Sequence, residues 1–491
     1  MVQVKPLKVV IISILFACWF GFFSQALALP VFPGAVGYGT DTSAGFYRPG
    51  GKTPVIYIVT STAHASGKPT LSERNGVSVY TGTLIQCIEH DPGTNVPKII
   101  LFEVSGTITA DSPPYTYYID HPYTTIAGQT APSPGITLKN IRLRVRKGHD
   151  TLIQHIRSRI GDIKAGEDPD VRRAITVGYV TGENPYNVVI DHVSASWATD
   201  INIGIGESNN VTVSNSIISE CLNDSLHSKG AHSKGFSSSG GATKTFFYRN
   251  LSAHNIDRNP LLQGGSKLLI NNVIYNPGDF NIFVQNKNDE PTNASIVNNL
   301  IKGGPNSDWT AEQLSPRLTP GLNTSSRLFI DGNRTMWGNN DYYEQSNSSD
   351  WSHVRNQTGY SDDKYKITKP EIWINNVPIE KTSELFDIII KNVGARPLDR
   401  DAVDKRIIND FIKGTGKIIN SPSEVGGWPN LAVNKSKLNI PQNPNGDDDK
   451  DGYTNIEEWI QGYSVKVAGS GTAGDGTILA APVLSVAGSN P

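Results

Sequence analysis

The chain has 491 residues, with 44 Lys and Arg against 46 Asp and Glu and only 18% charged residues. That length can bury one large core or two to three smaller ones. A formal net charge of −2 gives no global pull on a polyanion, so nucleic acid is excluded as a partner on charge and any anion binding must be local.

Residues 1–28 read as a secretory signal. Lys5 and Lys8 precede the apolar run Val9 to Phe23, and Ala26-Leu27-Ala28 supplies a small-residue cleavage site. The run is short for a membrane span, so the mature protein is expected to be secreted, extracellular or periplasmic, with no membrane contact. Beyond the leader stand two cysteines, Cys87 and Cys221, and their spacing leaves open whether they bridge.

After the Pro49-Gly50-Gly51 turn, Val55 to Thr60 alternates as a strand. The spacing of Leu84, Ile85 and Ile88 predicts a helix over Tyr80 to His90, placed to cap one end of a β-stack. From about Thr124 one short phrase recurs: apolar alternation, a Gly, His or Asn, then more apolar residues. Aligning its polar members puts Gly128, His155, His192, Asn215, Asn250, Asn272 and Asn299 in register. The shortest intervals are 22 to 27 residues, which fits a parallel β-helix of three short strands per coil with some swollen turns. An antiparallel sandwich also gives short strands, but not a recurring Asn that can stack with its neighbours.

The fold expected is therefore all-β, a parallel β-helix over 29–303 with an N-terminal capping helix and helical and loop attachments at the C-terminus. Past Gly303 the repeat fades, and 304–440 reads as an extension packed on the coils. Asp399 to Lys413 is predicted as an amphipathic helix with apolar Ala402, Val403, Ile407, Ile408, Phe411 and Ile412, closed by Gly414. Residues 441–465 hold D-D-D-K-D-G-Y-T-N-I-E-E, and 466–491 form a Gly/Ala/Ser/Thr tail.

That acidic stretch matches an EF-hand-type loop position by position. Asp447, Asp449, Asp451, the Tyr453 carbonyl, Asn455 and Glu458 fall at the calcium-ligand positions, and Gly452 sits at the sharp turn. It lies outside the repeat, so any Ca2+ there is expected to be structural. A second candidate lies between Val188 and Gly265, where Asp200 and Arg258 sit at the ends of β-runs flanking His227, Lys229, His232 and Lys234. Residues 139–173 carry ten basic side chains against five acidic ones, with Arg157, Arg159, Arg172 and Arg173 on coils beside Asp200. A polyuronate, one carboxylate per sugar, suits such a groove.

F-P-G-A-x-G-x-G, I-A-G-Q-T-A-P at 126–132, I-D-H-V-S-x-S-W-x-x-D at 190–200 and D-R-N-P at 257–260 together resemble the pectate lyases of the right-handed β-helix superfamily. The resemblance is to family 1 polysaccharide lyases, including members with an added EF-hand loop, and it runs from about Pro33 to Gly303. It implies a right-handed β-helix and cleavage of an acidic polysaccharide by β-elimination, with Arg258 as the catalytic base, Asp200 as a groove calcium ligand and Lys234 or Lys229 binding substrate. Arg173 and Arg157 would add cations to the groove, and a monomer is expected. The chain departs from the family pattern with Arg173 where an Asp is usual, Ser196 where a second groove carboxylate is common, and Gln263 where many members have an arginine. Glu167, Asp168 and Asp170 are then the carboxylates left to complete a calcium site. The related pectin lyases use a cation in place of the metal, a role open to Arg173. Two other readings compete: a glycoside hydrolase using Asp191 and Asp224, which needs paired acids flanking one bond, and a non-catalytic carbohydrate-binding β-helix.

Overall fold

The computed structural model describes residues 29–469 except 111–114, 287–288, 308–315, 319–321, 338–339, 357–358 and 361–362, so the expected leader and nearly all of the tail lie outside the described residues. Each short apolar run pairs in parallel with the run one coil later. Thr151–Gln154 pairs with Tyr186–Asp191, which pairs with Asn209–Ser214, and the series continues through Thr243–Tyr248, Gly265–Ile270, Thr292–Val297 and Arg327–Asp331. Two further ten-stranded sheets build by the same rule, so the chain winds as a parallel β-helix with three strands per coil. No helix among the described residues is long and apolar enough to cross a membrane.

Pairing without a register slip stacks like on like. Ile100, Ile126, Ile153, Ile190, Val213, Phe247, Leu269, Ile296 and Ile330 form one inward column in the first sheet. All are at most 1% exposed and belong to one core. Each such side chain is worth roughly 1.5–3 kcal/mol relative to exposure, so the column is a principal source of stability.

The corner between the first and second sheets is made by one residue per coil in the left-handed region: His155, His192, Asn215, Arg249, Asn271 and Asn298, with φ from 48° to 58°, and Gly332 at 63°. The Asn ladder sits one residue later. The Nδ2 groups of Asn250, Asn272 and Asn299 donate to the Oδ1 atoms of Asn272, Asn299 and Asn333 at 2.9, 3.1 and 2.9 Å. The predicted alignment therefore holds as far as Asn215 and then moves by one residue, because Asn suits both the left-handed corner and the buried ladder. The ladder reaches Asn333, and the strand Arg334–Trp337 pairs with Leu300–Gly303, so the coils continue one turn past the predicted end at Gly303.

Tyr80 to Thr83 ends the strand Val77–Thr83 instead of opening a helix. The capping helix spans Leu84–Glu89, starts on a Thr83/Gln86 capping box, and buries Leu84, Ile85, Cys87 and Ile88 over the open core. Cys87 and Cys221 are free and buried, each thiol pushed up to about 12 by desolvation, so they form no bridge. The C-terminal helix spans Ala402–Lys413 and not from Asp399, since the Asp401 carboxylate accepts the Asp404 N–H and caps it. Its Val403, Ile407, Ile408 and Phe411 are buried, whereas Ile412 is 39% exposed. The helix Asn455–Ala468, which the pattern did not reveal, packs Ile456 and Ile460 against the N-terminal strands.

Replacing Asn272 by Leu removes an amide serving the backbone of two coils, including the Asn250 N–H at 3.0 Å. The expected loss is about 1–3 kcal/mol for each buried group left unpaired, read as a fall in denaturant midpoint with unchanged m-value.

Candidate active-site groove

The third sheet sets the groove. Arg173 pairs with Ile201, and Ile201 with Lys234, at the leading ends of consecutive strands, and Lys234 forms a bridge to Asp257 in the next coil. Asp200 directly precedes Ile201, and Arg258 directly follows Asp257. With strands ~4.8 Å apart, Asp200 and Arg258 lie about two strand spacings apart on one edge of one sheet. Cys221 is buried beside this edge, and its thiol is raised first by burial and further by the Asp200 charge, against the lowering effects of Lys234 and Arg258.

Most charges along this edge are already spent. Arg173 donates from Nε to Asp200 Oδ2 at 2.8 Å, and Lys234 donates from Nζ to Asp257 Oδ2 at 2.8 Å. The other Asp200 oxygen lies 3.3 Å from His232 Nε2. Burial raises the Asp200 pKa, but the hydrogen bond from His232 and the charge and hydrogen bond of Arg173 outweigh it and hold the carboxyl below its ordinary range. His232 stacks on His227 with ring centroids 3.6 Å apart, and His227 Nδ1 accepts the Lys229 N–H at 3.1 Å. Lys229 itself is exposed on this loop. Arg258 is half-buried with φ 56°, and among the described residues its guanidinium has no hydrogen bond or ion pair.

Arg157 is not at the groove. It is fully buried on the second sheet, its Nε 3.6 Å from Asp401 and 3.5 Å from Asp404, and with Arg159 it anchors the C-terminal helix. Arg172 is buried too, donating to the carbonyls of Ile163, Ala165 and Glu167. The dense basic run was thus read as groove where much of it is internal bracing. Ser196 is buried on the outer face of the second sheet in register with Arg159, its hydroxyl 3.0 Å from that of Ser219, and Gln263 donates to the Asn286 carbonyl at 2.8 Å.

The residues around Asp200 do not fit a calcium ion. Ca2+ takes six to eight oxygen ligands. Here both carboxylate oxygens face a guanidinium and an imidazole, Glu167 is paired with Arg142 at 2.8 Å, and Asp170 accepts from the Ser228 N–H at 2.7 Å. Asp200, His227 and His232 do bring ligand atoms within 4.8 Å of one another, but the His227 Nδ1 lone pair is taken and Arg173 already supplies the positive charge.

Asp447, Asp449 and Asp451 form the other carboxylate cluster among the described residues, also within 4.8 Å. Asp447 Oδ2 accepts the Gly452 N–H at 3.0 Å and Asp451 Oδ1 the Tyr453 N–H at 2.8 Å, which curls the loop. Gly452 has φ 97°, and a Cβ there would meet Leu29 at 2.4 Å. Burial and the four nearby aspartates push Glu458 up to about 7. Asn455 is occupied within the loop, accepting the Asp448 N–H at 3.2 Å and donating to Asn443 O at 2.8 Å.

Sequence reading placed His227 and His232 here without a role and missed Tyr179, which lies 4.0 Å from the Arg173 guanidinium. The available signal was Ile203-Gly204-Ile205-Gly206, glycines alternating within a buried strand, which marks a close approach from outside.

No family model matches the chain. A probable pectate lyase C of Neosartorya fischeri is 28% identical over 468 residues, 89% of this chain and 94% of the relative. A probable pectate lyase C of Aspergillus terreus is 27% identical over 460 residues, 89% and 95% of the two chains. Among solved structures, a pectate lyase from Bacillus sp. N165 in complex with trigalacturonate is 14% identical over 74% of this chain and 98% of its own, with a TM-score of 0.45. The strand ladders described above, and not that structural likeness, establish the fold.

An Asp200→Asn variant reports on this edge through pH. A carboxyl depressed in the folded state contributes stability above its unfolded value, here 3.8, and loses it as pH falls through the folded value. The stability gap between parent and variant is expected to be constant from neutral pH down to about pH 5 and to shrink below about pH 4, read from urea midpoints across pH.

Proposed function

We propose that the chain is an exported polysaccharide lyase that cleaves a polyuronate of the pectate or pectin type by β-elimination. The observation that carries this is Arg258: a guanidinium without a side-chain partner among the described residues, on the same sheet edge as the Arg173–Asp200 pair. Full-length relatives named as probable pectate lyases support the reaction class.

In this reading the uronate carboxylate docks on the Arg173 Nη groups, which make no hydrogen bond among the described residues. Positive charge there stabilises the enolate-like density that develops when the C5 proton leaves. Arg258 takes that proton, the C4=C5 double bond forms, and the C4–O bond breaks with its electron pair leaving on oxygen. The oxygen is protonated from Arg258 or water, giving a 4,5-unsaturated end with no water consumed in the cleavage. An arginine removes a proton only in its neutral form, so its lack of an acidic partner matters. Lys234 and Lys229 bind flanking uronates. The hydrolase alternative loses its acid pair: Asp191 is buried at the corner of the first sheet, bonded to Ser214, Asn215, Gln154 and His192, while Asp224 lies in an exposed loop.

Calcium enters at the Asp447–Glu458 loop, where the carboxylate donors fit it. Bound there it would neutralise the clustered aspartates and fix a segment tied to the N-terminus, where Tyr453 Oη donates to Pro30 O at 3.0 Å and Arg48 pairs with Glu457 at 2.7 Å. The leader carries export, and substrate is met outside the cell.

Polygalacturonate and methylated pectin, each with and without chelator, test the reaction. Growth of ultraviolet absorbance from unsaturated ends is the expected result; new reducing ends without it would mean hydrolysis, and binding alone a non-catalytic module. Arg258→Ala is expected to fold normally and lose about 10²–10⁴-fold in turnover. Calcium is expected to raise the thermal midpoint of the parent chain by several degrees, and Asp449→Ala to abolish that rise while leaving groove activity in place.

A further inference from the structure

We propose that Tyr179 is the positioning residue for Arg173, holding its guanidinium flat against the third sheet so that its Nη edge faces the groove as the carboxylate-binding group. This rests on the lyase reading for its substrate. The geometry does not: it is a built cradle of three parts.

The first part is the stack. The Arg173 guanidinium carbon lies 4.0 Å from the Tyr179 ring centroid while its Nε is held by Asp200 at 2.8 Å. A guanidinium fixed on one face and at Nε can only swing its two Nη groups within a narrow arc, so little rotamer entropy remains to be lost when an anion binds.

The second part is the floor. A Cβ on Gly204 would come 2.9 Å from Arg173 Cδ and 3.3 Å from Nε, and one on Gly206 would come 2.9 Å from three atoms of the Tyr179 ring. Both side chains therefore lie across bare backbone, in space that any other residue would fill.

The third part is the anchor. Tyr179 stands in the left-handed region, φ 60°, between the strand Arg173–Val177 and the Val180–Glu183 turn, and its hydroxyl reaches across to Ser239 Oγ at 3.0 Å and Ser237 Oγ at 3.4 Å. Its carbonyl accepts from Arg144 Nη2 at 2.8 Å. The residue is thus tied through its carbonyl to the coil before it and through its ring hydroxyl to the coil two turns on. Nothing in the packing of the core uses it, since Tyr179 lies outside the tube and is half-buried. A ring so placed serves the cation beside it.

The test is a double-mutant cycle read by binding of trigalacturonate, free acid and fully methyl-esterified, to the full chain. Tyr179→Leu is expected to weaken binding of the free acid about ten-fold and of the ester by much less, whereas Tyr179→Phe, which keeps the ring, stays within about two-fold of the parent. In an Arg173→Gln background Tyr179→Leu is expected to change binding by less than about two-fold, because its only route to the ligand has gone. Gly204→Ala, whose Cβ would press on Arg173 Cδ at 2.9 Å and on the Tyr179 ring edge at 3.3 Å while leaving both residues in place, is expected to reproduce the loss and to be equally silent with Arg173→Gln. It covers the case in which Tyr179→Leu does not fold. Equal losses in both backgrounds, or equal losses for acid and ester, overturn the positioning role while leaving the lyase reading intact. A parent chain that binds neither trimer overturns both.

Discussion

The structure depends on one constraint: each coil must close on the same three strands in the same register as the coil below. Short parallel strands cannot tolerate a slip, because a shift of one residue would turn the inward column from Ile100 to Ile330 outward. The left-handed corner residue and the Asn ladder enforce this register, one by fixing where the chain turns and the other by tying backbone amides of adjacent coils together. The same constraint makes the groove. Residues 27 and 58 positions from Asp200 return to its side because Arg173, Ile201, Lys234 and Asp257 occupy equivalent stations on successive turns.

Insertions are tolerated only between strands, where they do not disturb the ladder. The loops before Arg173 and between Leu222 and Ser233 both swell over the third sheet, and they supply Asp170, His227 and His232 to the neighbourhood of Asp200. Rigid coils fix the pairs Arg173–Asp200 and Lys234–Asp257, while loops wall them in. Chemistry on this scaffold is accordingly a matter of which charges the coils leave unpaired.

How legible this was follows from what each residue type can do. Repeated apolar phrases pointed to a coil, because their shortest intervals cluster at 22 to 27 residues and a polar residue, mostly Asn, recurs in register. The corner and ladder positions were confused because Asn satisfies both, and the coil ending at Trp337 was hidden by the long insertion after Gly303. Arg258 and Asp200 were visible because each stands where an apolar run breaks. Arg157 was misassigned for a reason that sequence cannot supply: its partners, Asp401 and Asp404, are more than 240 residues away. A charge count ranks all arginines alike, whereas burial separates those that brace a helix from those that meet a ligand.

That separation changes the electrostatic argument for the groove. Ten basic residues between Lys139 and Arg173 suggested a strongly positive surface, yet Arg142, Arg146 and Arg159 are matched by carboxylates and Arg144 and Arg172 by carbonyls. A guanidinium paired with a carboxylate is nearly neutral from a few ångströms away, so Arg142, Arg146 and Arg159 add little field at Asp200, while Arg144 and Arg172 keep their charge but spend their donors on the backbone. What remains without a carboxylate along this edge is local: the Nη edge of Arg173, the guanidinium of Arg258 and the exposed Lys229, with Lys234 held by Asp257. Asp200 holds Arg173 by its Nε, which leaves the Nη donors without a hydrogen bond among the described residues. A carboxylate expected as a metal ligand is thus engaged by a cation, and in the proposed lyase reading the positive charge offered to a uronate comes from side chains whose positions are set by the coils.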